Sequence, residues 1–203
     1  MEIAGQPIAL HYLKLLHEHD RLAQNLDFTR LSSIFEIGGG FGVNVHLLLE
    51  NYPNVRKVVY LDIPPNLYIG TQYLRAFYPE AIQDYRVTRE LDRITFKENK
   101  KLEILCVAPW QIERLSVPLD LFYNAHSFVE MPEAVVQNYA KFICRSQGYR
   151  DAKIALLSYR NFDPESTWDP ERLPSFFEAK KFSSIQFSSI LSREIDRIAF
   201  ISV

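Results

Sequence analysis

The sequence is poor in cysteine, carries little net charge and contains no long apolar run. Its two cysteines, Cys106 and Cys144, each lie in an apolar stretch, which favours buried free thiols over a disulfide. A net charge of -2 leaves no basic face of the kind that binds nucleic acid. No segment approaches the roughly 20 apolar residues that span a bilayer, and the N-terminus has no signal-peptide pattern. We therefore expect a cytoplasmic protein with no membrane span and no nucleic-acid partner.

What the sequence does contain is a regular alternation of β-rich and helical segments. Five β-rich segments, separated by stretches with helical spacing, cover residues 33–37, 58–61, 102–107, 119–123 and 153–157. This alternation predicts a mostly parallel sheet with right-handed crossovers. Two further β-rich segments, near 185–190 and 197–203, predict an antiparallel pair. We expect a three-layer, Rossmann-like α/β fold with a seven-stranded sheet whose C-terminal strand is antiparallel.

Length and composition favour one domain. A chain of 203 residues, 47% of them hydrophobic, suits a single sizeable core. We expect residues 1–203 to form one domain, with an N-terminal helical segment (1–30) before the Rossmann-like core (31–203). The spacing predicts a helix over 7–23 with Pro7 in its first turn. Its two histidines, His17 and His19, are not four residues apart, so we expect no metal site.

A glycine-rich turn follows the first predicted strand. Its functional positions are Glu36, Gly38, Gly39, Gly40 and Gly42. A dinucleotide fingerprint needs the spacing G-x-G-x-x-G, but the positions that would complete it hold Val43 and Val45. The spacing E-x-G-x-G-x-G is instead typical of methyltransferases, in which the turn contacts the amino-acid portion of S-adenosylmethionine. The alternative interpretation is a tight strand-to-helix turn that binds no ligand.

The ends of the next two predicted strands hold candidate nucleoside contacts. Asp62 lies 20 residues after Gly42, where a carboxylate can accept hydrogen bonds from both ribose hydroxyls. Capping of the following helix is the alternative role for Asp62. Gln111 could bond the adenine amino group, with Trp110 or Ile63 against the adenine face. Ordinary core packing is the alternative for Trp110.

Three segments carry a resemblance to a known family. They are residues 35–42 (F-E-I-G-G-G-F-G), 61–64 (L-D-I-P) and 124–131 (N-A-H-S-F-V-E-M), in that order. Together they resemble the sugar O-methyltransferases of bacterial polysaccharide pathways, and the last segment is the most specific of the three. The resemblance covers roughly residues 32–139. It implies a class I methyltransferase fold, S-adenosylmethionine as cofactor, and methyl transfer to a hydroxyl of a free or carrier-linked sugar.

The segment 124–131 leaves the carboxyl end of the fourth predicted strand, where open α/β sheets place their ligands. We assign Asn124 to the cofactor contacts. A sugar hydroxyl needs a general base, and His126 is the first candidate because imidazole exchanges protons near neutral pH. Glu130 is the second candidate, or the group that orients His126. The alternatives are a histidine bonded to backbone and an acid at the N-terminus of the helix opened by Pro132.

The acceptor is less well specified than the cofactor. Aromatic and amide side chains after the fifth predicted strand, at 158–162 and Trp168, suit the apolar face and hydroxyls of a sugar. An ordinary proline-containing loop is the alternative interpretation. Two other functions stay open from the sequence: a methyltransferase for a non-sugar small molecule, and a non-catalytic binding module with a methyltransferase-like fold.

Overall fold

A mixed sheet runs through the part of the chain described by the computed structural model, which comprises residues 2–3, 5–7, 9–145, 152–159, 169–177, 181–188 and 195–202. Its strands are β1 (Ser33–Ile37), β2 (Lys57–Leu61), β3 (Ile82–Gln83), β4 (Glu103–Val107), β5 (Leu121–Ala125), β6 (Lys153–Tyr159), β7 (Lys181–Ser188) and β8 (Ile195–Ser202). Their order in the sheet is β3-β4-β2-β1-β5-β6-β8-β7. Strand β8 is antiparallel to both of its neighbours, and the other pairs are parallel.

The predicted fold class is confirmed, with one strand more than expected. The additional strand is β3, whose two residues pair with Ile104 and Leu105 at the edge of the sheet. Two paired residues are too few to produce a period-two pattern in the sequence, so this strand gave no signal. The hairpin predicted at the C-terminus is present as β7 and β8.

The helices of the described residues are α1 (Leu10–Ala23), α2 (Val43–Asn51), α3 (Pro64–Phe77), α4 (Tyr85–Thr88), α5 (Ser127–Glu130), α6 (Glu133–Arg145) and α7 (Leu173–Phe176). None of them is long and apolar enough to cross a membrane. The prediction that Pro7 lies in the first turn of a helix is wrong. Residues Gln6–Pro7 instead pair with Glu2–Ile3 in a small antiparallel sheet, and α1 begins at Leu10.

The sheet is covered on both faces, which explains why its central strands are almost wholly apolar. All five residues of β1 are buried. Phe35 and Ile37 belong to a core that includes residues of α6, whereas Ile34 belongs to a second core with residues of α1, α2 and α3. Because successive side chains of a strand point to opposite faces, Glu36 lies on the same face as Ile34. Helix α2 packs against this face. The assignment of residues 1–203 to one domain stays a prediction.

The amino ends of β1 and β5 are joined through one carboxylate. Asp120 Oδ2 accepts hydrogen bonds from the backbone N–H groups of Ser32 (2.7 Å) and Ser33 (2.9 Å) and from both serine hydroxyls. Burial alone would raise the pKa of Asp120, but these hydrogen bonds outweigh it and hold the pKa below the usual range. This link lies at the amino ends of the strands, and the glycine turn lies at their carboxyl ends. The link therefore stabilises the fold and is not part of the candidate site.

Replacing Asp120 with Asn is expected to lower the free energy of unfolding by about 1–3 kcal/mol, because two backbone donors lose a charged acceptor. Since the folded pKa lies below the unfolded one, this stabilisation is present above about pH 4 and fades as the pH falls further. Urea denaturation of the two proteins at pH 7 and pH 3.5 measures the difference. The exposed Asp92→Asn serves as the control, and an equal effect of both substitutions would contradict the assignment.

Candidate functional site

The glycine turn connects β1 to α2, and two of its glycines have positive φ for different reasons. Gly38 has φ +74°, and a Cβ added there would lie 2.0 Å from Ser127 Oγ, so only glycine fits. Gly40 has φ +55°, and the space that its Cβ would occupy is open. The Gly38 N–H donates to the carbonyl of Leu61 at 2.8 Å, which ties the turn to the end of β2. The turn thus leaves an open backbone surface at the carboxyl end of the sheet.

Tyr60 supports this turn from below, a role that the sequence reasoning missed. Its hydroxyl donates to the carbonyl oxygen of Gly40 at 2.5 Å, and a Cβ on Gly39 would lie 2.6 Å from the Tyr60 ring. The hydroxyl fits against α3 because Gly70 has no side chain there. A glycine in the middle of an otherwise regular helix usually has such a packing reason. Gly70 was therefore the feature of the sequence that could have indicated a close contact with α3.

Asp62 is buried at the carboxyl end of β2. Its Oδ2 accepts a hydrogen bond from Gly40 N–H at 2.6 Å, and its Oδ1 accepts from Ile63 N–H at 2.7 Å and from Asn66 Nδ2 at 3.3 Å. Burial raises the pKa of Asp62, and these three hydrogen bonds oppose that shift. A carboxylate has about four acceptor positions, so about one is left, on Oδ2. One acceptor position is therefore open to a ligand, and the hydrogen bonding of Asp62 to ribose stays a prediction.

Glu36 lies beneath the turn and is only 1% exposed. Its Oε1 accepts a hydrogen bond from Asn44 Nδ2 at 3.0 Å. Within the described residues, Glu36 Oε2 and Asn44 Oδ1 have no hydrogen-bond partner. Burial raises the pKa of Glu36 to about 7, against the opposing effect of the Asn44 hydrogen bond. An unbonded acceptor on a buried acid is costly, and it marks a position where a donor group on a ligand would be favoured.

Asn124 and Ser127 hold the glycine turn from the side of β5. Asn124 Nδ2 donates to the carbonyl of Ile37 at 2.7 Å and to Ser127 Oγ at 2.5 Å, while Asn124 Oδ1 accepts from Phe128 N–H. Both ends of the Asn124 amide are therefore bonded inside the protein. This geometry gives Asn124 a supporting role behind the turn, and direct contact with a cofactor stays a prediction.

His126 follows β5 and has a hydrogen bond that the sequence did not predict. Its Nε2 lies 3.0 Å from Oε1 of Glu18, a residue of α1 that is 1% exposed. Glu130, the second candidate base or the group that orients His126, is exposed at the end of α5, and either role stays a prediction. Glu18 lies between Leu15 and Leu22 on the buried face of α1. In the sequence, the position of Glu18 within that apolar stripe was the feature that could have indicated a buried acid with a specific role.

A pocket of about 330 Å³ lies between α1 and the glycine turn. Its lining includes Glu18, Gly38, Gly40, Phe41, Asn44 and His126. The pocket brings together the turn, the predicted base and an acid of α1. It is therefore the place where a ligand of the turn and a second reactant could meet.

A larger cavity of about 800 Å³ lies between the segment Pro109–Arg114 and α6. Trp110 lines it and is 66% exposed, so the core-packing alternative for Trp110 is wrong. Tyr139 also lines it, and burial together with the charge of Asp62 raises the pKa of Tyr139 to about 12. Asp62 therefore bonds to Gly40 of the smaller pocket and acts electrostatically on a residue of this cavity.

The two remaining adenine candidates differ sharply in exposure. Ile63 is exposed at the start of α3, beside Asp62. Gln111 is buried, its Oε1 accepts from Ala108 N–H at 2.7 Å, and its Nε2 lies 3.4 Å from Thr88 Oγ1. The Gln111 amide thus bonds to groups inside the protein, and its contact with adenine stays a prediction. The predicted acceptor residues at 160–162 and Trp168 lie outside the described residues.

The charges around the turn favour a cationic ligand. A phosphate-binding loop directs its backbone N–H groups at the anion. Here the Gly40 N–H is already donated to Asp62, and Glu36 lies beneath the same turn. A phosphate would meet two acids at this point, whereas an ammonium or sulfonium group would be attracted to them.

Comparison with known proteins gives a likeness in fold. No family model and no curated protein matches the chain. The methyltransferase domain of bacterial CtHen1-CN superimposes with a TM-score of 0.61 at 11% identity, over 96% of this chain and 100% of that one. Mitomycin 7-O-methyltransferase MmcR gives a TM-score of 0.59 at 11% identity, over 94% of this chain. Human N-acetylserotonin methyltransferase, solved in complex with S-adenosylmethionine, superimposes with a TM-score of 0.53 at 12% identity, over 88% of this chain. The chain has the Rossmann-like fold of these methyltransferases.

The extent of the match differs among these structures. The chain spans 54% of the length of MmcR and 50% of the length of the human enzyme. The likeness to these two proteins therefore concerns about half of each. Among the described residues, no group of three or more His, Cys, Asp or Glu side chains is placed to hold a metal ion.

Replacing Glu36 with Gln is expected to stabilise the unliganded protein above pH 7. The folded pKa of Glu36, about 7, exceeds the usual value of 4.5, so the folded state holds the proton more tightly. Stability is consequently lost as the pH rises from about 4.5 to 7, and the Gln variant avoids that loss. We expect a gain of roughly 1–3 kcal/mol at pH 8, since one pKa unit corresponds to about 1.4 kcal/mol.

Urea denaturation at pH 5 and pH 8 measures this effect. The exposed Glu90→Gln is the control, and its stability difference from the unsubstituted protein should not change between the two pH values. A Glu36→Gln variant that is less stable than the unsubstituted protein at pH 8 would show that the Glu36 charge is stabilised in the fold.

Proposed function

We propose that this protein binds S-adenosylmethionine at the glycine turn and transfers its methyl group to a small-molecule acceptor. The observation that carries the proposal is the buried Glu36, whose Oε2 is unbonded beneath a turn whose Gly40 N–H is already paired with Asp62. This arrangement attracts a cationic ligand and disfavours a phosphate. The likeness in fold to human N-acetylserotonin methyltransferase, solved with S-adenosylmethionine, supports the same cofactor.

The residues present suit the parts of this cofactor. Its amino-acid portion carries an ammonium group, which the charge of the buried Glu36 would attract, and the open side of Gly40 leaves space for that portion of the cofactor. Asp62 Oδ2 can accept one ribose hydroxyl, and the exposed side chains of Ile63 and Trp110 offer apolar surfaces to the base. Gly38, Gly39 and Gly42 shape the turn. When bound, the cofactor supplies an electrophilic methyl group on a sulfonium.

We propose a sugar hydroxyl as the acceptor, free or carrier-linked, in cytoplasmic polysaccharide or glycoconjugate synthesis. The sequence resemblance of the segments 35–42, 61–64 and 124–131 supports this choice. The acceptor would enter the 330 Å³ pocket, where His126 lies beside the glycine turn. His126 is then the group that removes the hydroxyl proton, and the turn positions the two reactants.

A non-sugar small molecule is the second candidate acceptor. It is favoured by Phe41, which lines the pocket with 57% of its surface exposed and offers an aromatic face to a planar ring. The likeness in fold to mitomycin 7-O-methyltransferase supports the same alternative.

Isothermal titration with S-adenosylhomocysteine tests the cofactor assignment. We expect one site per chain, and we expect Asp62→Asn to weaken binding by about 10- to 100-fold, because a charged hydrogen bond contributes roughly 1.5–3 kcal/mol. The exposed Asp92→Asn should bind as the unsubstituted protein does. A folded protein that binds neither S-adenosylhomocysteine nor S-adenosylmethionine would refute the proposal.

Methyl transfer to a panel of nucleotide sugars and phenols separates the two acceptor classes. We expect transfer to a nucleotide sugar, and we expect His126→Gln to lower kcat by roughly 10²-fold or more while the affinity for S-adenosylhomocysteine is kept. The control is His46→Gln, since His46 bonds to Tyr73 away from the pocket. Transfer to phenols alone would favour the second candidate, and cofactor binding without any transfer would favour a non-catalytic module.

A further inference from the structure

The pocket between α1 and the glycine turn has a wall that is fixed to the sheet. The turn is held at Gly40 by hydrogen bonds to Asp62 and Tyr60. His126 has φ +66°, which among the described residues is the only positive φ outside glycine, and its N–H donates to the carbonyl of Leu157 at 2.9 Å. Because both sides of this wall are bonded to the strands, the wall has little freedom to move.

The opposite wall is the N-terminal half of α1, residues 10–18. It lines the pocket with His11, Lys14, Leu15 and Glu18. Although Leu15 is buried, neither hydrophobic core of the described residues includes it or any other residue of this half. Leu22, in the C-terminal half of the helix, belongs to the second core. The helix is thus anchored at its C-terminal end, whereas its N-terminal half covers the pocket.

The start of α1 lacks the features that stabilise the N-terminus of a helix. Ala9 at the N-cap offers no side-chain acceptor to the first N–H groups, and the first turn contains no acid. Leu10 and Leu16 are exposed, with 54% and 43% of their surfaces accessible. A segment with an uncapped end and few buried apolar contacts opens at a low cost in free energy.

Side-chain hydrogen bonds attach this half of α1 on two sides. On the outer side, the hydroxyl of Tyr12 lies 3.0 Å from the hydroxyl of Tyr73 on α3. On the inner side, Glu18 Oε1 lies 3.0 Å from His126 Nε2. The outer bond is exposed to water, where a hydrogen bond contributes only modestly to stability. It can therefore break and form again while the sheet stays folded.

The pocket is small for the role proposed for it. Its volume of about 330 Å³ is near the lower limit of sites that enclose one small molecule. In the proposed function, a part of the cofactor and the acceptor have to meet in this space. Since the wall formed by the turn and His126 is fixed to the strands, the additional space has to come from a movement of α1.

We propose that residues 10–18 of α1 form a lid, which opens to admit the two reactants and closes over them before methyl transfer. Closure restores the hydrogen bonds of Tyr12 and Glu18 and keeps water out of the pocket. The inference rests on the proposed function. It implies that the opening of the lid controls how fast a ligand enters and leaves, and that it does not set the affinity.

Amide hydrogen exchange, followed by nuclear magnetic resonance, tests the lid in the free protein. We expect the amides of residues 13–18 to exchange about 10-fold faster than those of residues 19–23, because the anchored half stays closed. Saturation with S-adenosylhomocysteine should slow the exchange of residues 13–18 and leave that of residues 19–23 nearly unchanged. Equal exchange rates of the two halves in the free protein would overturn the proposal.

Two substitutions should move the lid in opposite directions. Ala9→Ser supplies an oxygen at the N-cap, so it should slow the exchange of residues 13–18 by about 2- to 10-fold. Tyr12→Phe removes the outer hydrogen bond, so it should speed this exchange by about 2- to 10-fold. The matched controls are Ala23→Ser, at the exposed other end of α1, and Tyr68→Phe, at an exposed tyrosine of α3. Neither control should change the exchange.

Surface plasmon resonance with immobilised protein measures whether the lid controls access. We expect Ala9→Ser to lower the association and dissociation rate constants of S-adenosylhomocysteine by the same factor, and Tyr12→Phe to raise both. The Kd should stay unchanged, because each substitution acts equally on the closed free state and the closed bound state. A change in the dissociation rate constant alone would show that α1 is a contact surface for the ligand, and it would overturn the lid.

The outcomes separate this inference from the proposed function. Faster exchange of residues 13–18, together with matched shifts of both rate constants, supports the lid. Unchanged rate constants in both variants overturn it. A protein that shows the expected exchange in the free state but binds neither S-adenosylhomocysteine nor S-adenosylmethionine refutes the proposed function instead.

Discussion

The hydrogen bond from Gly40 N–H to the carboxylate of Asp62 joins the ends of β1 and β2 at the middle of the sheet. It fixes the path of the glycine turn, because the same residue is held on its carbonyl side by Tyr60. It also uses the backbone donor that an anionic ligand would need. The charge and the hydrogen bonding of the turn thereby disfavour an anion at Gly40. The carboxylate that would contact the nucleoside in the proposed function is thus already part of the support of the turn.

Some of the buried acids stabilise the fold, and others lower its stability. Asp120 accepts four hydrogen bonds at the amino edge of the sheet and holds two strands together. Glu36 and Glu18 lie at the carboxyl edge, and each keeps an oxygen without a hydrogen-bond partner in the described structure. The carboxyl edge is where parallel α/β sheets bind ligands. The acids with an unbonded oxygen thus lie at the carboxyl ends of the strands, and the well-bonded Asp120 stabilises the sheet at the amino ends.

Sequence patterns predicted the parts of this protein that depend on local interactions. The strands, the glycine turn and Asp62 each have a signature within a few residues, and the glycine spacing separated this turn from a dinucleotide loop. Contacts between distant segments had no such signature. Glu18 reaches His126 across 108 positions of the sequence, and only its place in an apolar stripe gave a hint. Tyr60 likewise looked like one more buried strand residue. The edge strand β3 was too short to show a period.

The positive φ of His126 has a consequence for how this position can vary among proteins that share the site. Asparagine, aspartate and glycine tolerate the left-handed region best, while β-branched residues are strongly disfavoured there. The backbone thus restricts the set of residues at position 126 before any catalytic demand applies. Among proteins that share this backbone, we expect asparagine and glycine to be the most readily accepted replacements for His126.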